Sequence, residues 1–389
     1  MKRSTDRILT THVGSIIRPA ELLTLGQVAR TASSNGDTGA KERYDECLQR
    51  SIREAVERQA KAGIDIVNDG EFGKSSWAAY VLGRMTGWEI RPYERRPLTW
   101  LGADGVRFAE HMAKEMPLTL TGAATEACVG PISYTGGPSV ARDIQNLKTA
   151  LKGVAVEEAF GTSVAPASTA YNGVNEHYGS EREYVMALAE ALRQEYRAIA
   201  DAGLVLQVDD AVLANMYDTL VSQSPERYRE WAELRVDALN HALEGIPEDR
   251  VRYHICFGSW HVPHMCDAPL EEIVDLILSV KAGAYSIEAA NPRHEHEWRV
   301  WEKVKLPAGK ILIPGIVTHH TITVEHPRLV ADRIVRFAKL VGKENVIAGT
   351  DCGFAQQESI QRIPAEVMWA KMETLAEGAR IATRELWGR

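Results

Sequence analysis

Short apolar runs alternate along the chain with longer stretches in which apolar residues recur every three to four positions. The first run, Ile8-Leu9-Thr10-Thr11-His12-Val13, ends at Gly14-Ser15. A polar stretch with glycines (Thr31 to Gly39) separates it from a helical pattern over about Lys41 to Ala62. There Leu48, Ile52, Val56 and Ala60 fall at steps of four, and Gly63 stops the helix. Ile64-Asp65-Ile66-Val67 is the next predicted strand, ending in Asn68-Asp69-Gly70-Glu71. Further strands are predicted at Gly130–Tyr134, Phe160–Val164, Leu204–Val208, Val251–Cys256, Ala284–Glu288, Lys310–Pro314 and Asn345–Gly349. Helices are predicted at about Glu181–Ala202, Pro225–Leu243, Leu270–Val280, Pro327–Val341 and Pro364–Trp387.

Strand then helix, repeated roughly eight times, is the rhythm of a parallel sheet closed as an α/β (β/α)8 TIM barrel. Residues 80–128 break the rhythm. They hold Trp88, Trp100 and the Arg95-Arg96-Pro97 turn, and they read as an inserted excursion of hairpins and loops, a candidate lid. No linker or low-complexity segment divides the chain, so residues 1–389 are expected to form a single barrel domain.

Composition changes this picture little. Apolar residues make up 45% of the 389, enough for a large core, and the charged fraction of 25% is ordinary. A formal net charge of −8 argues against a nucleic-acid surface, which shows a clustered basic excess. No apolar h-region follows Lys2, Arg3 and Arg7, and no run approaches the roughly 18 apolar residues of a membrane span. A cytoplasmic protein is expected, with no membrane or nucleic-acid partner; a homo-oligomer is compatible with this sequence. The five cysteines are odd in number and widely spaced, so they do not read as a disulfide framework. In a reducing compartment they are free for metal or chemistry.

The chemistry-bearing residues fall in a pattern. His12, Glu71, Asp209, His254, Cys256, Glu288 and Cys352 all sit at the C-terminal ends of predicted strands or in the turns just after them. A barrel of this kind places its active site there. In a strand, residues i and i+2 share a face, so His254 and Cys256 can reach one ion. A lone His-x-Cys is a weak motif, and buried cysteines often pack as small apolar residues. With Glu288 and Cys352 at later strand ends, however, the set suits zinc, which takes imidazole, thiolate and carboxylate tetrahedrally. Such a site is net negative. That favours binding a substrate thiol as a thiolate over activating water. Cys47 and Cys266 read as structural, and His261 and His264 as loop residues.

Several short segments, in order, resemble the catalytic C-terminal half of cobalamin-independent methionine synthase. They are Thr10-Thr11-His12-Val13-Gly14-Ser15, Gly70-Glu71, Gln207-Val208-Asp209-Asp210, His254-Ile255-Cys256, Ser286-Ile287-Glu288, Pro314-Gly315-Ile316 with His320 beyond, and Asp351-Cys352-Gly353. The resemblance implies that His254, Cys256, Glu288 and Cys352 bind zinc. It implies that Glu71 and Asp209 answer the ammonium group of an amino-acid thiol, and that the Gly14-Ser15 turn meets its carboxylate. His12, in the same opening segment, joins Ser15 in the expected substrate-binding set. His320 is implied as a proton-handling residue, with His319 beside it as an alternative.

The resemblance also has gaps. A short form is expected, without the second, N-terminal barrel of the synthase. The synthase stacks its folate on a tryptophan just after the strand at Phe160–Val164. Here that stretch reads Ser163-Val164-Ala165-Pro166-Ala167-Ser168, and no tryptophan occurs between Trp100 and Trp231. Gly14-Ser15-Ile16-Ile17-Arg18-Pro19 and Asn291-Pro292-Arg293-His294-Glu295-His296-Glu297 look more like short relatives, which include epoxyalkane:coenzyme M transferase.

Three functions are therefore carried forward. The first is zinc-dependent methyl transfer to a thiol such as homocysteine, giving methionine. The second is opening of an epoxide by a sulfonate thiol, for which Arg18 or Arg293 would supply the cation. The third is a zinc-free barrel, a binding protein or a relative of uroporphyrinogen decarboxylase, in which the His/Cys/Glu/Cys set would have no purpose. The partners expected are a small-molecule thiol and an alkyl donor, whose identity the sequence leaves open.

Overall fold

Eleven strands are present among the residues that the computed structural model describes, which are 1–33, 38–92, 102–115, 124–259, 261–358 and 361–388. In chain order they are β1 (Leu9–Thr10), β2 (Ile66–Val67), β3 (Trp88–Pro92), β4 (Ala124–Cys128), β5 (Glu158–Val164), β6 (Gly173–Asn175), β7 (Val205–Asp210), β8 (Val251–Ile255), β9 (Ala284–Ile287), β10 (Ile311–Val317) and β11 (Ile347–Thr350). Eight of them form one parallel sheet in the order β1-β11-β10-β9-β8-β7-β5-β2. A parallel bridge between Thr11 and Ile66 joins the first strand to the last in that order and closes the barrel.

The strands are short, apolar and almost wholly buried because both of their faces are covered. Helices pack outside and side chains fill the inside. Leu9, Ile66, Phe160, Val205, Ala284, Ile311, Ile313 and Ile347 form a separate apolar cluster, the floor of the barrel interior. Side chains alternate along a strand, so the inward stripe continues two residues further on. There it turns polar: Leu9 leads to Thr11, Phe160 to Thr162, Val205 to Gln207 and then Asp209, and Ala284 to Ser286 and then Glu288. Arg252 bridges the two layers. Its guanidinium lies 3.5 Å over the Phe160 ring and donates to Gln207 Oε1 (2.6 Å), Thr11 Oγ1 (2.9 Å) and the His12 carbonyl (2.6 Å).

The covering helices follow from their stripes and caps. Glu181–Asp201 buries Leu188, Leu192 and Ile199, and Ser180 caps it by accepting from the Glu183 N–H at 3.2 Å. Pro225–Ala242 begins with a proline at a position that needs no N–H, behind the Ser224 cap. A single apolar cluster runs from Ile8 to Ala382. Among the described residues, no helix is long and apolar enough to cross a membrane.

One predicted strand is absent. Gly130–Tyr134 is not part of the barrel; only Tyr134 makes a bridge, to Met85. Pro131 has no N–H to give, and the Ile132 N–H goes to the Tyr178 hydroxyl at 2.9 Å. The excursion instead supplies β3 and β4, which pair antiparallel, and β6 from further along the chain adds parallel to β4. The helix Gly102–Arg107 lies between β3 and β4, and its Asp104 accepts from the Met265 N–H at 2.6 Å. The Arg95-Arg96-Pro97 turn and Trp100 lie outside the described residues.

Candidate active site

His254 projects from the end of β8, Cys256 from the turn just after it, and Cys352 from the turn after β11. Their ligand atoms all lie within 4.8 Å of one another, and all three residues are buried. The two sulfurs are 3.5 Å apart and not cross-linked. His254 Nδ1 contacts Ser286 Oγ at 3.2 Å, which fixes the ring, while Nε2 is buried with no partner among the described residues. The Gly258 N–H donates to Cys256 Sγ at 3.2 Å. The contact between the two sulfurs holds Cys352 well below the usual thiol range and raises Cys256. An unpaired buried imidazole nitrogen beside two adjacent sulfurs is a soft donor set that fits zinc.

Glu288 follows β9 directly. Its Oε1 accepts from the Phe257 N–H at 3.0 Å and Oε2 from the Asn291 amide at 2.8 Å. Burial, and then the negative charge of Asp351 and Cys352, push its carboxyl well above the usual range. The expected quartet is thus brought together in two groups. His254, Cys256 and Cys352 form one, and Glu288 lies in the other with His319 and His320, whose potential ligand atoms are also within 4.8 Å of one another.

Next to the sulfurs is a cavity of about 240 Å³. Ser15, Glu71 and Asp209 line it, as the sequence suggests, and His254, Cys256 and Cys352 form part of the same wall. Glu71 sits at φ 60 behind Gly70 at φ 71, a tight turn that costs a non-glycine residue on the order of 1 kcal/mol. Gly14 makes room for it: a Cβ there would lie 2.6 Å from Glu71 Oε1. Asp209 Oδ1 accepts from the Gln207 amide at 2.6 Å. Burial and then the charge of Glu71 raise the Asp209 carboxyl well above its usual range, with Lys74 opposing. Lys74 itself is spent on Thr162, donating to its carbonyl (2.7 Å) and Oγ1 (2.5 Å).

Two residues expected to touch substrate do not line the cavity. His12 is buried; its Nε2 meets Gln59 Oε1 at 2.7 Å and its Nδ1 accepts from the Gly14 N–H at 3.2 Å. Burial pushes it down to about 3, so it is neutral. Arg18 donates to the carbonyls of Ala355 (3.1 Å), Glu71 (2.9 Å) and Lys74 (2.9 Å). Both residues hold the turns that carry Ser15, Glu71 and Gly353. Arg293 donates to the Met265 carbonyl. His320 stands outside the cavity wall, with its ring 4.0 Å from that of His319 and 5.5 Å from that of His264. Burial and then the neighbouring His264 and His261 lower it to about 3.

The cavity also has walls that sequence reasoning missed. Trp77 packs against Cys256 and Cys352 along with Val13 and Ala211. Tyr171 and Arg362 also line it. Arg362 feels both sulfurs: burial lowers it, and the charge of Cys352 and Cys256 works the other way. None of the three lies on a periodic stretch ending in a chemical motif.

The family model for the cobalamin-independent synthase catalytic domain matches residues 123–372, more than half of the chain. The uncharacterised Bacillus subtilis (strain 168) protein YxjH is 25% identical over 381 residues, covering 93% of this chain and 91% of its own. A methionine synthase of Thermococcus kodakarensis is 22% identical, covering 88% and 86%. A 2-hydroxypropyl-CoM lyase of Xanthobacter autotrophicus is 23% identical, covering 90% of each. Among solved structures, a B12-independent methionine synthase from Shewanella sp. W3-18-1 in complex with selenomethionine shares the fold. Its TM-score is 0.73 at 18% identity, covering 98% of this chain and all of that one. This chain therefore belongs to the cobalamin-independent synthase catalytic-domain family.

Proposed function

We propose that this protein transfers a methyl group to the sulfur of a thiol amino acid of the homocysteine type, with zinc held by His254, Cys256, Glu288 and Cys352. The observation that carries the reading is the cavity wall. Glu71 and Asp209 stand there together, beside the two cysteines. Two acids in a buried pocket favour a ligand that brings a positive charge, and an amino acid's ammonium group does so.

Zinc, when bound, supplies a lowered pKa for the substrate thiol at neutral pH. The chain's own residues do the rest. Glu71 and Asp209 fix the ammonium group, the Ser15 turn and Arg362 face the substrate's carboxylate, and Trp77 keeps water from the sulfurs. The substrate sulfur attacks the methyl carbon in line. The S–C bond forms, the bond to the donor breaks, its electron pair stays with the donor, and the proton given up by the thiol is matched by one taken up on the donor's leaving atom. His320, a neutral imidazole, is assigned to the donor side of the sulfur.

One observation favours a second reading, the opening of an epoxide by a sulfonate thiol: Arg362 lies beside the sulfurs and offers a cation. The sulfonate would also face Glu71 and Asp209, which repel it. The test is direct. Zinc-loaded protein is supplied with homocysteine and a methyl donor (methylfolate or methylcobalamin), and in parallel with coenzyme M and propylene oxide. Methionine formation that chelation abolishes supports the first reading. Thiol consumption only in the epoxide arm replaces it with the second.

A further inference from the structure

The cluster of Glu288, His319 and His320 has more donor atoms than one zinc ion at His254, Cys256 and Cys352 can use. His319 and Glu288 are each 2% exposed. Neither ring nitrogen of His319 has a hydrogen-bond partner among the described residues. Burying an imidazole with its polar atoms unpaired costs on the order of 1–3 kcal/mol for each unmet group. Such an arrangement persists when something else meets those atoms. The partners on hand are Glu288 and His320, whose ligand atoms lie within 4.8 Å. The Phe257 N–H and the Asn291 amide already orient the Glu288 carboxylate, and each oxygen keeps a lone pair.

We propose that Glu288, His319 and His320 form a second divalent-metal site, with the Glu288 carboxylate shared between it and the thiolate site. Two imidazoles and one carboxylate are borderline-hard donors that leave coordination positions open, a set suited to zinc, cobalt(II), iron(II) or manganese(II). The two sites therefore differ in kind: one is rich in sulfur and tight, the other is nitrogen and oxygen only and weaker. Glu288, Asp351, Cys256 and Cys352 lie in one buried region, and Asp351 Oδ2 has no partner among the described residues. The proposal builds on the zinc assignment above and does not depend on which methyl donor is used.

The test uses whole protein stripped with a chelator and titrated with Zn²⁺ or Co²⁺ alone. Two equivalents are expected at saturation by elemental analysis, the first with thiolate-to-cobalt charge-transfer absorption and the second without it. In His319→Ala/His320→Ala only the first equivalent should remain, with its charge-transfer band intact. In Cys256→Ser/Cys352→Ser that band should vanish while the nitrogen–oxygen site still takes cobalt. If the double histidine variant does not fold, His320→Ala alone should weaken the second equivalent by roughly tenfold or more. Binding of only one equivalent by the parent protein overturns the proposal, as does an unchanged second equivalent in the histidine variants. Loss of the charge-transfer band from the parent protein would instead overturn the zinc assignment itself.

Discussion

Cys256 Sγ and Cys352 Sγ lie 3.5 Å apart although 96 positions separate them in the chain. The first follows β8 and the second follows β11, with two strands between them around the barrel. With the hydrogen bond from Cys256 favouring a thiolate at Cys352, the metal-free protein should react with iodoacetamide at Cys352 first at neutral pH. Added zinc should protect both residues. Peptide mapping with and without zinc checks this, and equal labelling of Cys352 in both conditions would count against a shared metal.

Removing either acid from the cavity should separate binding from chemistry. Glu71→Gln or Asp209→Asn deletes one charged partner of the ammonium group, worth about 1.5–3 kcal/mol. KM for an amino-acid thiol should rise by roughly tenfold to a hundredfold while kcat changes much less. A thiol without an amino group should lose nothing. Steady-state kinetics with both thiols distinguishes this from general damage to the site.

His294 gives the protein a pH dependence. Burial opposes its charge, yet hydrogen bonds to Asp267 (3.0 Å) and Glu297 (2.8 Å) raise it to about 10. An unfolded histidine titrates near 6.5. A folded pKa above the unfolded one contributes stability that is complete below about 6.5 and fades as pH rises towards about 10. Denaturant midpoints of the parent protein and His294→Gln should therefore differ most near pH 6 and converge near pH 10. A constant difference would remove the ion-pair explanation.

Arg252 is the structural counterpart of the proposed metal ligands. Arg252→Met would leave Gln207 Oε1 and the His12 carbonyl buried without their donor, each costing about 1–3 kcal/mol. A total loss of about 3 kcal/mol or more is expected in urea unfolding. Gln207 also steadies Asp209, so KM for the thiol should rise even where the variant stays folded.

The sequence displays the barrel strands clearly because each is a short apolar run that ends in a polar residue. Gly130–Tyr134 has the same look, since Ile132 and Tyr134 alternate with polar neighbours. Nothing in that segment announces that β4, a few residues earlier, takes its place in a separate sheet. The strand-end rule places Glu71, Asp209, His254, Cys256 and Cys352 around one cavity because inward stripes converge at the barrel mouth. It says nothing about Trp77, Tyr171 or Arg362, which reach the same cavity from turns and short helices without periodicity. Arg18 shows the opposite limit. Its charge suggested a substrate contact, but three backbone carbonyls claim the guanidinium, and no local pattern records that.

The pairing of β1 with β11 has a consequence for the newly made chain. His254 and Cys256 leave the ribosome well before Cys352, and until β11 is released the barrel has a gap beside β1. During that interval the nascent protein exposes an imidazole and a thiol with no sulfur partner. On the proposed zinc assignment, a metal captured then would lack the Cys352 ligand and exchange more freely. Tight loading would thus wait for Cys352 to emerge, and a chain stalled short of it on the ribosome would hold its ion poorly.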